Sequence, residues 1–290
     1  MTEPATELPQ PGAAPSVASG LSGLHAQVLD QIGLAICGGA LAPGTVLYID
    51  DLVAEARRIT VLTGAGMSAE SGVPTFRDAQ TGLWARHDPQ TLATPRAWED
   101  DPALVWAWYQ WRARLVRSAA PHPGHRALAD LARLREVRVV TQNVDDLHER
   151  AGSDVLAHLH GSLFSPRCSR CGTAYPSPPV PEQLPERLTP PHCPVCRAAV
   201  RPGVVWFGEP LPEAPFEAAT AAHRDTDLVL VVGTSGLVFP AAGLPLQARA
   251  SGVPVVEVNP EDSALSDAVH HTWRARAARA LPALVASLAP

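Results

Sequence analysis

Apolar residues fall along this chain in short β-branched runs, each closing on small or polar residues. They are ITVL at 59–62, VRVV at 137–140, DLVLVV at 227–232 and VPVVEVN at 253–259. Continuous runs of this length, bounded by turn residues, read as strands covered on both faces in a parallel sheet. Between them the apolar spacing turns helical. Residues 51–58 predict an amphipathic helix, 125–135 another, and 88–121 a helical pair whose broad apolar face holds Trp98, Leu104, Trp106, Trp108, Tyr109 and Trp111. Alternation of strand and helix predicts an α/β protein, with its ligands at the carboxyl edge of the sheet.

What stands at those strand ends is chemically pointed. The first run stops at Gly64-Ala65-Gly66, with Ala69 in the small third position of a G-x-G-x-x-G/A pattern. Glycines there let backbone N–H groups approach a phosphate, and a following helix offers its positive end. A plain strand-to-helix turn would show the same three residues. The continuation argues for more, because Ser68, Glu70, Ser71, Thr75, Arg77 and Asp78 place polar groups where a crossover helix would repeat apolar ones. The second run ends in Thr141-Gln142-Asn143-Val144-Asp145-Asp146, and the two later runs deliver Gly233, Thr234, Ser235 and Asn259 to the same edge. A further short run, 156–159, leads to His160-Gly161. A histidine so placed is often structural. Facing a cleft, it is a candidate general base, since imidazole titrates near neutral pH. His87, His122, His223 and the pair His270-His271 fall in loops or polar surroundings and are assigned no role.

Composition narrows the chemistry. The 290 residues, 46% hydrophobic, suffice for one large domain and a smaller one. All 23 basic residues are arginine, which excludes a Walker-type phosphate loop and a Schiff-base mechanism, both of which need a lysine amine. The net charge of −6 and the lack of a basic run argue against nucleic acid as a partner. No apolar stretch reaches membrane-spanning length and no secretory pattern opens the chain, so a cytoplasmic protein is expected.

Four of the five cysteines form Cys168-x-x-Cys171 and Cys193-x-x-Cys196. Two such knuckles can fold back so that four thiolates meet one Zn²⁺, and a filled shell makes that metal structural. Cys37 reads as an ordinary small apolar residue.

Tyr109 and Arg112 lie three apart and so share a helix face, where hydroxyl and guanidinium together suit a carboxylate. A surface arginine beside a core tyrosine would carry the same spacing. The first 20 residues, rich in Pro, Ala, Ser and Gly, are expected to be disordered. Residues 24–37 look helical, and with 38–56 they resemble the opening of a GntR-type winged-helix domain, truncated before any recognition helix.

Taken in order, GAGMSAESGVPTFR, TQNVDDLHERAG, LHGSLF, the paired C-x-x-C knuckles, PGVVWFGE, VVGTSGLVFPAAGLP and EVNP resemble the sirtuin family of NAD-dependent protein lysine deacylases. The resemblance implies a Rossmann-like parallel-sheet domain (51–84, 122–162 and 200–290) within a catalytic region 49–290. It also implies a smaller domain made of a helical insert, 85–121, and a zinc-ribbon module, 163–199, with 1–48 as an extension. It implies that Gly64, Ala65, Gly66, Ser68, Glu70, Phe76, Arg77 and Trp84 hold NAD. Gln142, Asn143 and Asp145 would order the nicotinamide ribose, and Gly233, Thr234, Ser235, Asn259 and Ala277 the adenosine half.

His160 would act as base while the acyl group passes from lysine to ADP-ribose and nicotinamide leaves, with Asn143 and Asp145 beside it. An acyl-lysine peptide would lie as an added strand against Val205, Phe207 and Gly208 on one side and Gly236 and Leu237 on the other. Tyr109-x-x-Arg112, preceded by LATPRAW, resembles the class that accepts succinyl and malonyl groups as well as acetyl. Residues 78–82, DAQTG, depart from the shorter glycine-rich loop of that class. The same cleft would also suit a mono-ADP-ribosyltransferase or a non-catalytic NAD or ADP-ribose sensor.

Overall fold

The computed structural model describes residues 45–75, 84, 86–181 and 183–288. The expectations for residues 1–44, including Cys37 and the winged-helix-like segment up to residue 44, lie outside the described residues, as do Phe76, Arg77 and the loop 78–83. The unit described below is Leu47–Pro290.

Among the described residues the strands are β1 (Arg58–Thr63), β2 (Glu136–Thr141), β3 (Val155–His158), β4 (Gly161–Cys168), β5 (Val200–Val204), β6 (Leu228–Val232), β7 (Val255–Val258) and β8 (His271–Trp273). Six of them form one sheet in the order β3-β2-β1-β6-β7-β8, and every pair is parallel. The direction of winding reverses between β1 and β6. A Rossmann-like sheet opens a crevice at that point, beyond the carboxyl ends of the two strands.

The helices are α1 (Thr45–Glu55), α2 (Ala65–Ala69), α3 (Pro89–Leu92), α4 (Pro95–Asp100), α5 (Pro102–Ser118), α6 (Pro123–Leu131), α7 (Leu147–Arg150), α8 (Glu213–Arg224), α9 (Gly243–Ala250) and α10 (Ala277–Ser287). Successive strand residues point to opposite faces, so Ile59, Val61, Leu230 and Val232 pack with Val53 of α1, Leu128 of α6 and Leu281 of α10. On the other face Leu62 and Val140 meet Ala219 of α8 and Leu244 of α9. That double cover explains why the strands read as unbroken apolar runs.

The helical pair expected over 88–121 is three helices. Asp88, Thr94 and Asp101 each accept a hydrogen bond from a backbone N–H in the first turn that follows, and each precedes a proline. A side-chain cap followed by proline starts a helix, and the same proline cannot continue the one before. The first helix after β1 is only five residues long, the helix expected over 51–58 is Thr45–Glu55, and that expected over 125–135 is Pro123–Leu131.

Beside the large sheet, β4 and β5 pair antiparallel, with Val200 opposite Cys168 and Val204 opposite Gly161. One edge of β5 is therefore taken by β4.

The turn after β1 is held against the end of β6. A Cβ on Gly64 would lie 2.8 Å from the Thr234 Cα, and one on Gly66 would lie 2.7 Å from the Gly233 carbonyl oxygen. Backbone cannot yield as a side-chain tip can, so Gly66→Ala should cost roughly 1–3 kcal/mol and lower the midpoint of thermal unfolding by roughly 3–10 °C. Differential scanning calorimetry checks it, and an unchanged midpoint would contradict the packing described.

Candidate active site

The crevice is floored by a lattice of hydrogen bonds between strand ends. Gly64 N–H donates to the Val232 carbonyl at 3.0 Å, Gly66 N–H to the Gly233 carbonyl at 2.8 Å, and Gly233 N–H to the Val258 carbonyl at 3.0 Å. The N–H groups of Gly64 and Gly66 are thus bonded to the end of β6 and the residue after it, and glycine is needed there for close backbone approach.

From β2, the Gln142 amide donates to the Thr234 hydroxyl at 3.0 Å, while Asn143 Nδ2 donates to the Gly64 carbonyl at 3.0 Å and reaches Ser68 Oγ at 3.1 Å. Ser68 in turn donates to Asp145 Oδ2 at 2.8 Å, and Leu147 N–H to Asp145 Oδ1 at 3.1 Å. Burial raises the pKa of Asp145, working against those two donors. From β7, Asn259 Nδ2 donates to the Thr234 carbonyl at 2.9 Å. Ser68, Asn143 and Asp145 therefore share one set of hydrogen bonds and Gln142, Thr234 and Asn259 another, the two sets meeting at the adjacent residues Gln142 and Asn143.

His160 follows β3, half-buried. Its Nδ1 lies 2.9 Å from the Gln142 carbonyl, which can only accept, so Nδ1 carries the proton and Nε2 keeps its lone pair. Burial lowers the pKa of the ring, and the Gln142 carbonyl only partly restores it. A neutral imidazole with one free nitrogen is what a general base requires. The His160 carbonyl accepts from Val205 N–H at 2.9 Å, which ties the 202–209 segment to this histidine.

Beside the network lies a small pocket whose walls include Ser68, Pro74, Arg112, Asn143, Asp145 and Leu163. Arg112 is 5% exposed, its Nη2 donates to the Pro74 carbonyl at 3.4 Å, and its guanidinium stands 5.3 Å over the Trp108 ring. Tyr109 sits in the same apolar cluster, its ring edge-on to Trp108 at 4.6 Å. Burial raises its pKa, against the lowering influence of Arg112.

The remaining predicted residues are placed as follows. Ala65 also lines the pocket, and the Ser235 carbonyl accepts from Ala264 N–H at 3.1 Å. Trp84 is buried, tilted against Trp111 at 6.1 Å. Ala277 opens α10, and Glu70 accepts from Ala278 N–H at 2.9 Å, so its carboxylate is committed to that helix start. Phe207 is 44% exposed and Leu237 61%, large apolar side chains left in solvent. Gly208 and Gly236 take left-handed φ values of 90° and 69°.

The four cysteine sulfurs lie within 4.8 Å of one another, with Cys168 to Cys196 at 3.3 Å and Cys171 to Cys193 at 3.7 Å. Sulfurs held at about 2.3 Å around tetrahedral zinc stand about 3.8 Å apart. Backbone N–H groups of Arg170, Cys171 and Val195 point at the Cys168 and Cys193 sulfurs at 3.4 Å, as they would to thiolates. The cluster fits one structural zinc with no ligand position left for substrate.

A model of the Sir2 family matches residues 64–240. The chain is 54% identical over 240 residues to NAD-dependent protein deacylase 1 of Pseudomonas aeruginosa, covering 81% of this chain and 96% of that one. The chain belongs to the Sir2 family. A Sir2 homologue solved as an NAD complex matches it with a TM-score of 0.76 at 42% identity, over 83% of this chain and 93% of that one. Sir2Tm bound to a propionylated peptide matches with a TM-score of 0.72 at 28% identity, over 83% and 98%. No helix among the described residues of this Sir2 protein is long and apolar enough to cross a membrane.

Several histidines escape a sequence reading of this Sir2 chain. His158 Nε2 lies 2.6 Å from Glu149 Oε1 and its Nδ1 3.2 Å from the Asn143 carbonyl. Both partners accept, so both ring nitrogens donate and the ring is an imidazolium. Burial opposes that charge and Glu149 outweighs it, raising the pKa. Two histidines two residues apart thus hold opposite states. His122 and His223, expected in polar surroundings, are buried. His122 caps α6 through Gly124 N–H and donates to the Met67 carbonyl at 2.6 Å, and His223 donates to the Ala219 carbonyl at 2.8 Å. His125 stacks between His122 and His148, at 4.2 and 5.0 Å, with no partner for either nitrogen among the described residues. Only the fold reveals which histidine loses water.

Burial holds His148 and His223 down to about 4, and His125 to about 2, from an ordinary 6.5. Below 6.5 the unfolded chain takes up these protons and the folded chain does not, so their contribution to stability is complete above 6.5 and lost as pH falls. For His148 alone the full loss is on the order of 3 kcal/mol once pH passes below 4. Urea unfolding at pH 7, 6 and 5 should show falling stability, with a shallower fall in His148→Gln. Equal slopes in both proteins would contradict the burial of a neutral ring.

Proposed function

We propose that this Sir2 protein removes acyl groups from protein lysines in an NAD-dependent reaction, and that its substrates include succinyl- and malonyl-lysine as well as acetyl-lysine. The observation that carries the reading is the geometry of His160, a neutral ring oriented by the Gln142 carbonyl, whose segment is tied to the edge where a peptide would lie. The naming of the Pseudomonas aeruginosa relative as a protein deacylase supports the reaction, and the propionylated peptide bound by Sir2Tm supports the substrate class.

The crevice fits NAD by the chemistry of its floor. A glycine turn stands at the reversal of strand order, and amide, hydroxyl and carboxylate groups converge beside it. When bound, NAD supplies a ribose that receives the acyl group as nicotinamide departs. The chain's own residues do the rest. Gly64, Ala65, Gly66 and Ser68 form the wall against the dinucleotide, and Gln142, Asn143 and Asp145 orient the nicotinamide-side ribose. Thr234, Ser235 and Asn259 hold the adenosine side. Glu70, Trp84 and Ala277 shape the cleft from behind, and Phe76 and Arg77 belong to the same motif. Nε2 of His160 accepts a proton from a ribose hydroxyl, and the lowered pKa keeps that nitrogen unprotonated at neutral pH.

The peptide lies extended between 202–209 and 236–238, with Val205, Phe207, Gly208, Gly236 and Leu237 against it. Pairing through main chain leaves side-chain preference loose. At the inner end of the lysine channel, Arg112 offers a buried positive charge to an acyl carboxylate, with Tyr109 one turn away on α5. Its burial raises the value of that charge pair, because little water competes for it.

His160→Ala should abolish turnover while calorimetry still registers NAD binding, and a variant that keeps its rate removes the base from this site. Arg112→Met should lower kcat/KM for a succinyl peptide by about 2–5 kcal/mol in transition-state stabilisation, and that for the acetyl peptide far less. Equal losses on the two substrates would reject the acidic-acyl reading.

A further inference from the structure

Behind the pocket stands an ion pair that the reaction does not use. Arg201 on β5 is 8% exposed, and its two terminal nitrogens meet the two oxygens of Glu209 at 2.6 and 2.9 Å. The same guanidinium donates to the Val204 carbonyl at 3.1 Å and lies flat on the Trp206 ring, its carbon 3.3 Å from the centroid. Glu209 closes the turn by accepting from Trp206 N–H at 2.9 Å. Burial works against the Glu209 charge, and Arg201 outweighs it. Trp206 is therefore fixed by a two-pronged pair on one side. On the other it meets Trp98 at 5.7 Å and the cluster of Tyr109, Trp108 and Leu163.

Contacts lead from the pair toward the pocket. They run from Arg201 to Trp206, from Trp206 into the apolar cluster that also holds Tyr109 and Trp108, from Tyr109 edge-on to Trp108 at 4.6 Å, and from Trp108 to the Arg112 guanidinium at 5.3 Å. They begin one residue from Val200, the strand partner of the zinc-cluster residue Cys168.

We propose that Arg201 and Glu209 are positioning residues for acyl selectivity, holding Trp206 so that Tyr109 and Arg112 keep the spacing that suits a carboxylate. This rests on the acyl-pocket reading above. The physical reason is a difference in tolerance. An acetyl group fills space and accepts some drift of the pocket wall, whereas a carboxylate needs donors placed to within a few tenths of an ångström, or it is buried unpaired. The bidentate fork and the flat stacking are both properties of a planar guanidinium, and an ammonium supplies neither.

The test compares kcat/KM on acetyl and succinyl forms of one peptide, at saturating NAD, for the full chain and for Arg201→Lys, Glu209→Gln and Arg112→Met. Both brace variants should lower the succinyl value by roughly 3- to 30-fold more than the acetyl value, through KM for the succinyl peptide, with KM for NAD and zinc content unchanged. Glu209→Gln keeps the size and one acceptor oxygen, so it reports even if Arg201→Lys folds poorly. If Arg112→Met shifts selectivity and neither brace variant does, the brace has no role in selectivity and the proposal falls alone. Should Arg112→Met leave the ratio unchanged, the acyl-pocket reading falls and this proposal with it. Parallel losses on both peptides would mark the brace as structural only.

Discussion

The structure depends on how closely two strand ends approach one another. The turn after β1 and the Gly233 turn after β6 touch backbone to backbone, and only the absence of side chains at Gly64, Gly66 and Gly233 permits it. From that contact the rest of the crevice follows. Once the two turns are locked, Asn143 can reach the Gly64 carbonyl, Gln142 can reach Thr234, and Asn259 can close the far side. A site assembled from four strand ends is rigid because each of its polar groups is also a structural bond. Preorganisation of this kind costs no rearrangement when a ligand arrives.

Burial then assigns charge. Burial disfavours the charged forms of His122, His125 and His148 beneath the crevice, while Glu149 favours the charged form of His158 at the end of β3. His160 lies between these extremes, buried enough to lose its proton and oriented by a carbonyl that leaves one nitrogen free. No added charge is required to set it as a base. Arg112 is the counterpart, a cation kept in a pocket where a carboxylate would find little competition from water. The zinc module contributes no reacting atom. Its four thiolates close a segment rich in proline, and the strand it anchors carries the turn that packs behind Tyr109.

Much of this was legible along the chain. Runs such as LVLVV declare a doubly covered strand, and polar residues after each run declare the functional edge, because a parallel sheet presents all its carboxyl ends together. The cysteine spacing declares a metal cluster, since two C-x-x-C knuckles can bring four sulfurs around one ion. The helical insert was misread as two helices because the apolar face runs through it without a break. Its caps at Asp88, Thr94 and Asp101, each followed by proline, are the local signal that divides it into three. The glycine turn was legible too, but its close packing against the end of β6 was not, for nothing local says which strand will approach it.

The sequence by itself therefore determined the strands, the edge that bears function, the zinc knuckles and, through its lack of lysine, the chemistries the protein does not use. Each rests on residue type and spacing, which fold cannot alter. The tertiary structure alone decided which histidines are neutral, that Glu70 serves α10, and that Arg201 and Glu209 pair beside Trp206. Those properties depend on burial and, for Glu70, on a partner 208 residues away in the chain, and one-dimensional pattern carries no measure of either.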